Sequence, residues 1–250
     1  MDSLLDHPII SERYFFPRPD QPPEFRDIIA PDGTRLRCFE SRPHPQAKTL
    51  VHYHGNGETV TDYLHDFVED VAGLGVNLLL VEYRGYGGST GSPQLGKMID
   101  DVSVVRQACG LAPQDTFLYG RSVGAIFAVE WASQQPDIAG LILESGVANP
   151  HQRLAIRLDP EELGVDPATF AAACAERLDH RAKLAAYSGP LLVFHAAGDS
   201  LVGVDHAHSH MEWAASSEKQ LVLFPRGDHN TIMTYNWSQM RAHMREFFQR

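Results

Sequence analysis

Thr116-Phe117-Leu118-Tyr119-Gly120-Arg121-Ser122-Val123-Gly124-Ala125-Ile126-Phe127 is the stretch that decides the fold of this 250-residue chain. An apolar, strand-like run leads into Gly-x-Ser-x-Gly, and an alanine-bearing helical pattern follows. A serine hydroxyl is a weak nucleophile, useful only when it is exposed and next to a base. A sharp strand-to-helix turn supplies the exposure by pushing Ser122 out at the C-terminal edge of a sheet. Glycines at 120 and 124 are then needed because strand and helix backbones pass too close for a Cβ. The helix start beyond Ser122 adds free N–H groups and positive dipole where an oxyanion would form. The pentapeptide alone is a weak signal, since a packing turn of small residues reads the same way. The strand before it and the helix after it make Ser122 a candidate nucleophile.

Outward from this turn, short apolar runs alternate with helix-length amphipathic stretches. The runs are Leu50 to Tyr53, Asn77 to Val81, Thr116 to Tyr119, Leu141 to Glu144, Leu191 to His195 and Gln220 to Phe224. Helices are expected at roughly Thr59 to Gly73, Leu95 to Cys109, Val123 to Gln135, Asp205 to Ser216 and Thr231 to Phe248. Continuous apolar strands between helices imply a mostly parallel sheet covered on both faces. Upstream, Phe25 to Ile29 and Leu36 to Glu40 flank the turn sequence Pro31-Asp32-Gly33 and read as an antiparallel hairpin. Prolines 17, 19, 22 and 23 predict a stiff extended lead-in. An eight-stranded α/β sheet in a single domain over residues 1–250 is the expected architecture. Between Ser145 and Gly189 the rhythm breaks for about forty residues. Phe170, Cys174 and Leu178 recur there at a spacing of four, a helical stripe. Residues of about 146–188 are therefore expected to form a small helical lid inserted in the domain.

Two further segments join the elbow. Leu50-Val51-His52-Tyr53-His54-Gly55-Asn56-Gly57 runs from an apolar strand into a glycine-bearing loop, and Glu82-Tyr83-Arg84-Gly85-Tyr86-Gly87-Gly88-Ser89 follows the next strand. Together with Gly-Arg-Ser-Val-Gly they resemble the α/β-hydrolase superfamily, most nearly its small Bem46-like serine hydrolase branch. The likeness runs from Thr49 to the C-terminus apart from the lid interval. It implies that the backbone N–H groups of Asn56 and Val123 form an oxyanion hole, and that Arg84 to Ser89 is a structural loop bordering the site.

The resemblance also implies the order Ser, acid, His. Asp199, in Ala196-Ala197-Gly198-Asp199 after a strand, is the candidate acid, and His229, in Arg226-Gly227-Asp228-His229, is the candidate base. The family often has His-Gly where this chain has His195-Ala196, a departure that leaves the acid untouched. Asp228 adjoins His229, but neighbouring side chains on an extended loop diverge. Asp205 stands at a helix start, where capping accounts for it. Activity is expected to fall as acid protonates the His229 imidazole.

Composition narrows the function classes. The chain is 43% hydrophobic and 21% charged, enough apolar residue for a sizeable core. A formal net charge of -11 disfavours nucleic acid or anionic membranes as partners, because both need a basic patch. Cys38, Cys109 and Cys174 are widely spaced and odd in number, against a disulfide framework or zinc site. No signal-peptide pattern opens the sequence and the longest apolar run, near Val76 to Val81, is too short to span a bilayer, so a cytoplasmic protein without an integral membrane segment is expected. His206, His208 and His210 alternate on an expected helix, where a solvated face is favoured over a zinc site. Trp131, Trp213 and Trp237 read as helix anchors, and no cofactor motif is visible. The expectation is hydrolysis of a small-molecule carboxylic ester through an acyl-enzyme. Thioester or amide cleavage by the same residues, or a non-catalytic ligand-binding relative, are the alternatives.

Overall fold

In the computed structural model, which describes residues 3–250, the apolar runs become eight strands of one sheet. They are β1 (Arg26–Ile29), β2 (Arg35–Ser41), β3 (Thr49–Tyr53), β4 (Asn77–Val81), β5 (Thr116–Arg121), β6 (Gly140–Glu144), β7 (Leu191–Ala196) and β8 (Lys219–Phe224). Their spatial order is β1-β2-β4-β3-β5-β6-β7-β8. Only β2 runs against the rest, antiparallel to both β1 and β4, while β4 to β8 pair in parallel. The hairpin register pairs Ile29 with Arg35 across the Pro31-Asp32-Gly33 turn.

The helices are α1 (Pro8–Tyr14), α2 (Asp66–Ala72), α3 (Leu95–Cys109), α4 (Gly124–Gln134), α5 (Pro150–Ala155), α6 (Pro167–Leu178), α7 (His180–Ala185), α8 (Val204–Trp213) and α9 (Ile232–Phe248). Every residue of β3 to β7 is buried, as a sheet covered on both faces requires. The period-2 geometry of strands divides those side chains. Val51, Leu79, Leu118, Leu141 and Val193 meet α3, α4 and α7 through Ile99, Phe127, Trp131 and Leu184. Leu50, Leu78, Phe117, Ile142 and Leu192 meet α2 and α9 through Phe67, Val71, Met240, Met244 and Phe247 on the other side. Two apolar layers thus clamp the sheet whose C-terminal edge carries the site.

Three local readings change. The amino-terminal segment before the prolines is helical at α1, with Pro8 at its first position and His7 capping Ile9 N–H. Pro at that position forfeits no intrahelical bond, but seven residues are too few for a periodic signal. The expected helix from Thr59 divides into a 3-10 turn, Val60–Tyr63, and α2. There the carboxylate of Asp62 accepts from Thr59 N–H, and His65 leaves helical geometry. Most consequential, α8 turns its histidines inward. His210 is completely buried and His206 half-buried, with only His208 exposed. The helix faces β7 and α7 with Ala207 between those two histidines, so this face is packed rather than solvated.

Residues 146–188 form α5, a 3-10 turn at Pro160–Leu163, α6 and α7. Asp166 accepts from Ala168 and Thr169 N–H and caps α6, whose buried residues are Phe170, Cys174 and Leu178. Cys38 and Cys174 are buried, Cys109 half-buried, and all three are free thiols. No helix among the described residues is long and apolar enough to cross a membrane.

Candidate active site

Ser122 follows directly on β5 with φ at +53°, one of two non-glycine residues with positive φ among those described. Such a conformation costs about 1–3 kcal/mol and persists only when the surroundings enforce it. Here they do: Ser122 N–H donates to the Glu144 carbonyl at 2.9 Å, and its own carbonyl accepts from Ala125 at 3.2 Å and Val147 at 3.1 Å. A Cβ at Gly120 would lie 2.7 Å from Ala125 Cα, and one at Gly124 would overlap the Tyr53 carbonyl. Both glycines are therefore steric necessities where strand, turn and helix converge.

His229 sits in the loop between β8 and α9, and Asp199 in the loop after β7. Parallel neighbours end at the same edge, which brings these loops over Ser122. His229 Nδ1 lies 2.7 Å from Asp199 Oδ2, and His229 Nε2 lies 2.8 Å from Ser122 Oγ. A carboxylate only accepts, so Nδ1 carries the proton and Nε2 is left to accept from the serine hydroxyl. The other Asp199 oxygen accepts from Leu201 N–H at 3.0 Å and Val202 N–H at 2.8 Å. Burial pushes the Asp199 carboxyl up, but the bonds from His229 and Val202 outweigh it and hold the group below its ordinary value. Asp228, exposed, turns its carboxylate to Asn230 and Thr231. Asp205 is exposed on α8. Sequence reasoning overlooked what His195 does: its Nε2–H donates to the Val202 carbonyl at 2.9 Å and shapes the loop that carries Asp199.

The loop after β3 brings Asn56 to the same site. Its side chain is tied down on three sides: Oδ1 accepts from Phe16 N–H at 3.1 Å and Tyr86 O–H at 2.9 Å, while Nδ2 donates to the Tyr14 carbonyl. Among the described residues, the backbone N–H groups of Asn56 and Val123 have no hydrogen-bond partner, and both residues border the cavity at Ser122. Preceding Asn56, His54 places Nε2 2.7 Å from Glu82 Oε1 and Nδ1 2.8 Å from the Gly55 carbonyl. Both partners are acceptors, so both nitrogens donate and the ring is an imidazolium in a buried ion pair. Burial lowers its pKa, but Glu82 more than restores it and the net direction is up. Arg84 clasps Asp101 at 2.6 and 2.7 Å and reaches Asp32 at 3.0 Å, a structural loop anchor.

Arg121, inside the elbow, was also missed as a functional residue. Its guanidinium lies 2.5 Å from Glu58 Oε1 and 3.2 Å from Glu144 Oε1, and donates to the His229 carbonyl at 2.9 Å. Glu58 also accepts from Gly55 N–H at 2.7 Å and Tyr63 O–H at 2.6 Å. One buried cation thus binds the loop bearing Asn56, the end of β6 and the loop bearing His229. Burial raises the Glu144 carboxyl above its ordinary value in spite of Arg121. The available sequence signal was an apolar run that ends in an acid, Leu141-Ile142-Leu143-Glu144.

A cavity of about 200 Å³ opens at Ser122 and His229. Tyr14, Phe15 and Phe16 wall it on one side, and Val147, Pro150, Arg153, Leu154 and Arg157 of the 146–188 segment contribute as well. Among the described residues, no three His, Cys, Asp or Glu side chains gather in a metal-binding cluster.

Comparison with known proteins agrees with this architecture. A family model described as "Serine aminopeptidase, S33" matches residues 44–164. The α/β-hydrolase domain-containing protein 17B of Homo sapiens is 24% identical over 208 residues, covering 81% of this chain and 68% of the relative. The mouse α/β-hydrolase domain-containing protein 10 superposes with a TM-score of 0.73 at 15% identity, covering 90% of this chain and 98% of that one. An esterase from Exiguobacterium antarcticum superposes with a TM-score of 0.69 at 19% identity, covering 91% and 100%. The chain has the α/β-hydrolase fold, and these proteins are similar to it over most of its length.

Proposed function

We propose that this protein is a serine hydrolase that cleaves a small-molecule carboxylic ester through an acyl-enzyme. The observation that carries the reading is the unbroken line of hydrogen bonds Ser122–His229–Asp199, at 2.8 and 2.7 Å, starting from a serine at positive φ. Ser122 Oγ attacks the carbonyl carbon while its proton passes to His229 Nε2. Asp199, held acidic and fixed by two backbone N–H groups, keeps Nδ1 protonated and steadies the imidazolium. The oxyanion forms toward the uncommitted N–H groups of Asn56 and Val123, which act as its donors. Collapse expels the alcohol with the proton from His229, and water repeats the sequence to release the acid. The esterase among the structural neighbours supports the substrate class, and the aminopeptidase name of the family model keeps amides within the assay.

Residues 146–188 act in this reading as a lid that sets acyl size, since Leu154 and Val147 face the cavity. The decisive experiment labels wild type and Ser122→Ala with a fluorophosphonate while following 4-nitrophenyl esters of short and long acyl chains and an aminoacyl 4-nitroanilide. Labelling and ester turnover in the wild type alone are expected. Folded wild type that neither labels nor turns over would defeat the catalytic reading in favour of a binding protein. A Leu154→Ala variant should move the preferred acyl chain to a longer one; an unaltered chain-length profile would count against the lid.

A further inference from the structure

The chain carries 32 acidic against 21 basic side chains, yet no residue lining the Ser122 cavity is acidic and three are arginines. Arg121 is committed to Glu58 and Glu144. Arg153, on α5, and Arg157, in the turn that follows, are not paired with any carboxylate among the described residues. Both side chains line the same cavity beside Ser122. Arg157 reaches toward the opposite wall, with its guanidinium 5.9 Å from the Phe16 ring and a bond of 3.3 Å to the Arg13 carbonyl. Tyr14, on that wall, reports both cations: burial pushes its hydroxyl up to about 12, while Arg153 and Arg157 oppose the shift. Two neighbouring cations without counter-charges repel each other, and a bound anion relieves that repulsion through charge-assisted hydrogen bonds. An all-apolar acyl chain would supply no counter-charge to either of them inside an acidic protein.

We infer that the site takes an ester or thioester whose substrate also bears an anionic group, a carboxylate or phosphate, with Arg153 and Arg157 as its specificity-determining residues. The inference rests on the hydrolase reading for the reaction, but the anion preference is measurable without turnover. Two matched pairs test it: mono-4-nitrophenyl glutarate against its methyl ester, and butyryl-phosphopantetheine against butyryl-pantetheine. The first places the anion on the acyl side and the second on the leaving-group side. In wild type, kcat/KM should favour the anionic member of at least one pair by about tenfold or more, the size of a hydrogen bond to a charged group. The ratio should fall to about one in Arg153→Gln/Arg157→Gln and persist in Arg153→Lys/Arg157→Lys, which keeps the charge. A wild-type ratio of one or less in both pairs, or a ratio that survives in the glutamine variant, overturns the inference. If the wild type neither labels with fluorophosphonate nor turns over, the hydrolase reading fails separately. Calorimetric binding of both members of each pair to Ser122→Ala then decides the anion preference, and equal affinities within each pair refute it.

Discussion

Replacing Arg121 with methionine removes a charge at nearly constant bulk and tests whether this residue knits the site together. In the folded protein Arg121 is 6% exposed and Glu144 is fully buried. Truncation leaves Glu144 with only the Tyr119 hydroxyl on one oxygen, and Glu58 with Gly55 N–H and Tyr63. Breaking a buried ion pair from one side costs about 3–5 kcal/mol, because the surviving charge stays desolvated. Urea unfolding at pH 7 should show a loss of that order. The double variant Arg121→Met/Glu144→Gln should recover about 1–3 kcal/mol of it, the coupling expected of direct partners. The pH dependence has a definite sign. Burial already raises the Glu144 carboxyl, and removing Arg121 raises it further. A carboxyl whose folded pKa exceeds its unfolded value of about 4.3 binds its proton more tightly when folded. The deficit of Arg121→Met relative to wild type should therefore be largest at neutral pH and shrink as pH falls toward that value. Since the guanidinium also holds the His229 carbonyl, kcat for a 4-nitrophenyl ester should drop more than KM rises. A stability within 1 kcal/mol of wild type, or a deficit that widens in acid, would refute the reasoning.

Three further outcomes follow from the geometry. Asp199→Asn should keep its fold by circular dichroism but lose about 10⁴-fold in kcat, because an amide no longer enforces the His229 tautomer; a loss under tenfold would shift the acid's role elsewhere. Gly124→Ala places a methyl on the Tyr53 carbonyl and should cost about 3 kcal/mol or more, so a melting temperature close to wild type would contradict the packing account. His210, whose ring nitrogens have no partner among the described residues, is held neutral by burial with its pKa lowered to about 3. Its unfolded value is about 6.5, so the unfolded state binds the extra proton and stability is lost as pH falls between the two, by up to about 1.4 kcal/mol per unit. His210→Leu should flatten the urea-stability profile between pH 6.5 and pH 4, and an unchanged slope would mean that the histidine is not a source of acid sensitivity.

The sequence by itself determined the strand runs, the α/β class, the elbow at Ser122 and the stripe Phe170–Cys174–Leu178, because each is a local matter of period, turn chemistry and steric room. Gly120 and Gly124 were legible for the same reason: their crowding arises where one strand turns into one helix. Asp199 and His229 were readable as residues after successive strands, where parallel topology brings loop ends together. Their contact with each other, and the turning of Asp228 toward Thr231, depended on how two loops pack over a third. The Arg121 network was decided in the same way, since Glu58, Glu144 and His229 come from separate connections that meet only at the sheet's edge. Burial of His210 required α8 to choose its inward face against β7, a choice its mixed polar sequence left open. The pairing of Tyr14 and Phe16 with Arg153 and Arg157 around one cavity was likewise tertiary. Those segments lie more than a hundred residues apart, and no periodicity in either records the other.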